Sequence, residues 1–570
     1  MIMTNDKRPS ISSDEPDHDH HDNDMPQNPE VSRRDLLGSA AVGAALGALA
    51  TAGLSPETLL AAPKGQAGPP GGLPPGQAKK GIVLKGGVVL TMDPAGGDYA
   101  KADVRIEGSK IVAIGPNLGG DGATIDCTGM IVMPGFVQTH HHQYETIQRA
   151  VIPDGLLTGT WPQESYGSVV QNIWTTGRIG PANAPTWDLG RSPYDPEDCY
   201  IAELVAAWAS INEGVTAGID TSQSSHTPEH TDAMIQGLMD SGQRAMYVYS
   251  AGRSDQPGYE YPGAIGNETS GLGRLRKQWF NSNDQLVTLG FSGAATLWPL
   301  ARAFGAQIVN HDFNGAALVA NPSLVSSDMV SIHAVNFTEA AWQLASEKGV
   351  KISIAGPIEM QMAHGTPPYQ HALDHNILPS LSPDVDTNMA HDQFSLVRGA
   401  FTLQRLLVNP NITHEYPPHT GKPLLSCRQA LEMATSAGAA AFGPQLGYSS
   451  KFGMLKVGME ADVICLQTRA INTHPIINAP GAVVTLMDSS NVDTVIIGGT
   501  IKKRAGKLVG VDVEKLLNDV QKAQERVLAR IQGPALVGSI PDGNHSAPGY
   551  TPSKVGSCCV NNRPYPNARP

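Results

Sequence analysis

Residues 131–142 read IVMPGFVQTHHH, an apolar run that closes on three consecutive histidines. A run of this length and β-branched content predicts a buried strand over 131–140, of the kind found in parallel sheets. Strand side chains alternate, so His140 and His142 are expected on one face and His141 on the other. Two imidazoles together at the C-terminal end of a strand make half of a metal site.

Seven more strands are predicted downstream: 215–221 (VTAGIDT), 244–250, 286–292, 306–311, 329–333, 350–355 and 377–384. Stretches such as 197–213 (EDCYIAELVAAWASINE) and 228–241 (PEHTDAMIQGLMDS) separate them and carry helical apolar spacing. Strands alternating with helices imply βα units about a parallel sheet, and eight such units imply an α/β fold of the TIM type. The expected architecture is a (β/α)8 barrel over 134–445, with an open doubly wound sheet as the alternative. Short alternating strands before it (81–133) and after it (446–511) predict a small discontinuous β-sandwich, with Gly108-Ser109-Lys110 as a hairpin turn.

Other strand ends carry matching chemistry. His311 closes the fifth strand, His333 the sixth and Asp384 the eighth. Imidazoles with a carboxylate suit a divalent, borderline-soft ion, Zn²⁺ first, with Fe²⁺ or Mn²⁺ also accepted by such donors.

These stretches resemble the amidohydrolase superfamily, in its His-x-His branch of cyclic-amidine deaminases and atrazine-type chlorohydrolases. The resemblance rests on 133–150 (MPGFVQTHHHQYETIQRA), 307–312 (QIVNHD), 330–356, 379–398 (PSLSPDVDTNMAHDQFSLVR), 430–443 and 452–466, and it runs from about Gly81 to Gly510. It implies one divalent metal on His140, His142, His311 and Asp384. It further implies Asp384 as the acceptor of a water proton and His333 as the group that polarises the substrate. The fourth strand offers no lysine to bridge a second metal. The implied activity is hydrolysis of a non-peptide carbon–nitrogen bond, a deamination or an amide or amidine cleavage, in a small cyclic molecule. Hydrolysis of an aryl chloride or acyl amide is the alternative, and a non-catalytic exported metal-binding protein ranks below both.

Two departures from the pattern matter. Asn314 stands three residues after His311, where deaminases of the branch place a glutamate that protonates a ring nitrogen. The seventh strand ends near Ile354, where a histidine is usual. Glu359, His364 and His226 are the candidates for substrate contact, with His230 close by. Asp386 is expected to support a ligand or cap a loop.

The chain has 570 residues, with 61 Gly, 43 Pro and 6 Cys, and a net charge of −13. Turn content excludes a coiled coil, cysteine content excludes a disulfide scaffold, and the negative charge excludes a nucleic-acid partner. Residues 1–31 hold eight acids against Lys7 and Arg8 and read as a disordered acidic head. Residues 32–62 begin SRRDLL and continue as an Ala/Gly-rich segment. They resemble a twin-arginine (Tat) signal, which implies the Tat export machinery as a partner and a periplasmic or extracellular destination. The segment is too weakly apolar for a stable membrane span. Residues 63–80 read as a Pro/Gly linker, 512–532 as a helix capped by Asp512, and 533–570 as a tail ending near Cys558 and Cys559. A homo-oligomer is compatible with all of this.

Overall fold

The structure is a computed structural model. It describes residues 81–531, apart from 154, 159–164, 180–186, 263–268, 270, 283, 409–423 and 444–450. The acidic head, the Tat-like segment, the linker and the tail with Cys558 and Cys559 lie outside the described residues.

Eight parallel strands form the centre: β1 (Phe136–His141), β2 (Val215–Thr221), β3 (Arg244–Tyr249), β4 (Val287–Phe291), β5 (Gln307–Asp312), β6 (Met329–His333), β7 (Lys351–Ile354) and β8 (Ser380–Leu381). They pair in sequence order, each with the next. The barrel closes through a bridge between His141 and Asp384. There the His142 N–H donates to the Asp384 carbonyl at 2.7 Å and the Asp384 N–H to the His140 carbonyl at 3.2 Å. Lower down, the Thr139 hydroxyl lies 2.7 Å from Ser353 Oγ and 2.8 Å from Ser380 Oγ. Val137, Ala217, Ile219, Met246, Val248, Val309, Val330 and Ile332 fill the interior together with Phe442 and Phe452. This is a packed core, so ligand space is left only at the strand ends.

Two strand expectations need correction. The single strand over 131–140 is two, Met130–Pro134 and β1. The break falls at Pro134-Gly135, where the chain crosses from one sheet to another. A Cβ on Gly135 would lie 2.1 Å from the Thr216 side chain, so only glycine passes there. The eighth strand is two residues long, and Asp384 lies beyond it with φ +66°. Pro383 lacks the N–H needed to continue a ladder.

The segments flanking the barrel meet in one nine-stranded sheet. Met130–Pro134 pairs antiparallel with Val463–Gln467, Val132 opposite Cys465. Ile82, Leu84, Val104, Ile106, Val132, Val463 and Ile496 give this sheet its own core. A buried ion pair joins it to the barrel: Arg244, at the start of β3, donates to Asp462 at 2.7 and 3.1 Å. Asp462 also accepts from the Gly135 N–H on its carbonyl and from the Gly498 N–H on its side chain. Arg244→Met would leave that carboxylate buried without its cation. A loss of about 3–5 kcal/mol in urea unfolding is expected, and a change under 1 kcal/mol would show that the pair does not fasten the two sheets.

Among the remaining elements, helix Pro196–Asn212 starts on a capping box between Asp195 and Asp198 with proline in its first turn. The C-terminal helix, Val513–Ile531, lies on it through ion pairs of Arg526 and Arg530 with Asp198. Its first turn is capped by Asp512, which accepts from the Lys515 N–H at 3.0 Å. No helix among the described residues is long and apolar enough to cross a membrane.

Candidate functional site

The strand ends bring His140, His142, His311 and Asp384 into one cluster, His311 half-buried and the other three buried, with candidate donor atoms within 4.8 Å of one another. His140 Nε2 lies 2.8 Å from Asp384 Oδ1 and 3.2 Å from His311 Nε2, and His142 Nε2 lies 3.6 Å from the same Asp384 oxygen. Simple alternation does not account for this placement. Val137 belongs to the barrel interior, so unbroken pleating would send His140 outward. A register shift against β2 between Gln138 and His141 adds one residue to β1 and reverses the faces.

The second ring nitrogens explain how the candidate ligands are aimed. His142 Nδ1–H donates to the Thr221 carbonyl at 2.7 Å, which leaves Nε2 a bare lone pair. His140 Nδ1 is bonded to Thr221 Oγ1 at 2.9 Å. Thr221, at the end of β2, therefore orients both rings, and its only sequence signal was a polar residue at a strand end. Burial lowers the His140 and His142 pKa values to about 3, which keeps both imidazoles neutral. Tetrahedral bonds of about 2.0–2.1 Å put neighbouring donors roughly 3.3 Å apart, close to the spacings seen. The donor set fits one divalent cation.

Beside it stands His333, whose Nε2 is 3.7 Å from Asp384 Oδ2. Its Nδ1 is bonded to Glu359 Oε1 at 3.0 Å, and that oxygen also accepts from the Ala355 N–H at 2.9 Å. Burial works to lower the His333 pKa, but the Asp384 and Glu359 carboxylates outweigh it and raise it. Burial raises Glu359. Glu359, expected on the substrate, holds the His333 ring through Oε1, while its Oε2 has no hydrogen-bond partner among the described residues. The reason is the short helix Gly356–Gln361, which begins directly after β7 and turns Glu359 inward.

His364 does face the cluster. Its ring is edge-on to His333 at 5.0 Å, its two nitrogens have no hydrogen-bond partner among the described residues, and burial lowers its pKa to about 4. Phe313 stacks on His333 at 4.9 Å. His226 has other company: its Nδ1 accepts from the Arg253 N–H at 2.8 Å and its ring abuts His230. Its Nε2 is buried without a hydrogen-bond partner among the described residues. Asn314 is exposed, its Oδ1 accepting from the Ala316 N–H to shape a turn, and it supplies no acid to the site.

Behind β1, His141 lies 3.3 Å and His391 2.8 Å from Asp386 Oδ1, while Arg149 donates to Oδ2 at 3.1 Å. This network, in which His391 was missed, braces the strand that carries the ligands. Burial works to lower the His391 pKa, but Asp386 and Glu213 hold it up to about 9 against an ordinary 6.5. The charged ring thus stabilises the fold fully below 6.5, and that contribution is lost as pH rises through 9. Unfolding at both ends of this window is expected to show a loss of about 3 kcal/mol toward high pH. His391→Gln should flatten the dependence, and an unchanged slope in that variant would refute the assignment.

Several known proteins are similar. The chain is 27% identical over 476 residues to the 5'-deoxyadenosine deaminase of Methanosarcina mazei, covering 79% of this chain and 99% of that one. It is 27% identical over 487 residues to the 5-methylthioadenosine/S-adenosylhomocysteine deaminase of Pelotomaculum thermopropionicum, with the same coverage. The zinc-bound adenosine deaminase of Xanthomonas campestris superposes with a TM-score of 0.62 at 20% identity, covering 79% and 98% of the two chains. A variant of the atrazine chlorohydrolase of Arthrobacter aurescens, complexed with zinc and atraton, gives 0.61 at 19% identity, covering 78% and 100%. No protein-family model matches the chain. The barrel has the fold of these solved structures, and the protein is an enzyme, a hydrolase.

Proposed function

We infer that this enzyme hydrolyses a carbon–nitrogen bond in a small cyclic molecule, an amino-substituted heterocycle of the adenosine type, with one zinc ion as cofactor. The observation that carries this reading is the four-donor cluster with His333 beside its carboxylate. A divalent ion held by His140, His142, His311 and Asp384 would supply an acidified water as nucleophile. Asp384 is placed to take that water's proton on Oδ2 and pass it to the leaving amine. His333, held by Glu359, donates to the charge that develops on the attacked carbon's substituent. His364 and Phe313 offer one wall against which a flat ring could lie. The deaminase relatives support the substrate class.

The test is metal analysis of purified protein beside ammonia release from 5'-deoxyadenosine, 5-methylthioadenosine and S-adenosylhomocysteine. One equivalent of zinc and turnover of at least one amine support the reading, and full activity after chelation overturns it. A second reading, displacement of chloride or hydrolysis of an acyl amide, is favoured by the missing acid at Asn314. Chloride release from a chlorotriazine, without ammonia from the purines, would select it.

The strands of 81–133 and 446–511 are read as the discontinuous sandwich of such enzymes. Residues 32–62 are read as a Tat signal that delivers the folded, metal-loaded enzyme to the periplasm or beyond. Replacing Arg33 and Arg34 with lysine should hold the protein in the cytoplasm of a Tat-competent host, and unimpaired export in a fractionation assay would remove this reading.

A further inference from the structure

The site has lost the acid expected at position 314, yet a second carboxyl stands beside it unclaimed. Glu145 is wholly buried, three residues past His142. Its Oε1 lies 2.6 Å from the Tyr166 hydroxyl and 3.0 Å from that of Tyr144. Both phenols also reach Gln223 Oε1, at 3.3 and 2.9 Å. Oε2 has no partner, and no cationic side chain pairs with Glu145 among the described residues.

Three relations place this group at the catalytic end. Glu145 follows the C-terminal end of β1 and Gln223 lies two residues past Thr221, which holds both His-x-His ligands. The Tyr144 ring is edge-on to His142 at 6.3 Å. Burial raises the Glu145 pKa well above its ordinary value, and the Asp384 charge is near enough to raise it further. Leaving a carboxyl oxygen dry and unpaired costs free energy, and such a cost is sustained where a ligand completes the bonding.

We propose that Glu145, carried on Tyr166 and Tyr144, is a substrate-contacting residue that receives the nitrogen-bearing edge of an aromatic heterocycle through Oε2. It occupies the role of recognising the ring that Asn314 cannot fill, from the β1–β2 side of the mouth, opposite His364 and Phe313. The assignment deepens the hydrolase reading and rests on it.

The experiment compares zinc-loaded wild type, Glu145→Gln and Glu145→Met. Turnover of 5'-deoxyadenosine, calorimetric binding of purine riboside, zinc content and Tm are measured for each. Glu145→Met is expected to weaken purine riboside binding at least about tenfold and to cut turnover at least about a hundredfold. Glu145→Gln, which keeps a hydrogen-bonding edge, should lose less binding than the methionine variant. Zinc should stay at one equivalent and Tm should hold or rise in both, because removal of an orphaned polar atom relieves strain that a functional site carries. Kinetic constants within threefold of wild type in both variants would overturn the proposal, as would a Tm drop of several degrees with loss of zinc. If wild type neither binds nor turns over these purines, the purine reading fails instead. Tm then decides Glu145: a rise in the methionine variant upholds a ligand-facing role and a fall assigns it to structure.

Discussion

Replacing His140 with alanine is expected to remove the metal and, with it, all measurable turnover. His140 is the hub of the cluster, with Asp384 and His311 both at hydrogen-bond distance from its Nε2. A divalent ion held there would acidify a water, and without it that acidification would be lost, so a fall on the order of 10⁴-fold or more is expected. Asp384→Asn is the sharper companion. Asp384 sits at φ +66°, a left-handed conformation that asparagine tolerates and alanine does not. The asparagine variant therefore removes the charge and the proton acceptor without adding backbone strain. It should weaken zinc binding in a chelator competition and lose turnover about as fully as the histidine variant. Zinc retained at full stoichiometry in His140→Ala would disprove the site.

His333 should show the second-largest effect, with the metal left in place. Its backbone is also left-handed, at φ +70°, so His333→Asn is again the variant that spares the fold. Loss of a group that donates to developing charge predicts a fall in kcat of about 10²–10⁴-fold with zinc unchanged. Glu359→Gln tests how His333 is held. The amide oxygen can still accept from the His333 Nδ1–H, but the charge that helps raise the imidazole pKa is gone. A fall of about 10–100-fold is expected, in kcat more than in KM. An effect of Glu359→Gln larger than that of His333→Asn would mean that Glu359 meets the substrate directly.

Both variants act on residues that were legible to different degrees before folding. His333 ends an apolar strand and could be read from periodicity. Glu359 could be seen only as a carboxylate in a loop, and its partner depends on a short helix packing behind a neighbouring strand. Glu145 lies inside the most informative stretch of the chain, HHHQYE. It gave no signal of its own, because a carboxyl is unremarkable until its surroundings are known to be dry. Thr221 and His391 were hidden for the same reason.

The choice of four residues as candidate ligands, and the missing acid at 314, rest on the resemblance to the amidohydrolase superfamily. From the pattern of the sequence itself came the order of eight strands and helices and the histidines and aspartate at strand ends. These follow from hydrophobic periodicity and residue type, which are local along the chain. The tertiary structure alone decided the bulge that turns His140 and His142 to the same side as His311. It likewise decided the pairing of Glu359 with His333, the Asp386 brace, and the burial of Glu145. Those depend on which distant side chains share a low-dielectric space, and burial of that kind is set by packing across the barrel, with no counterpart in spacing along the chain.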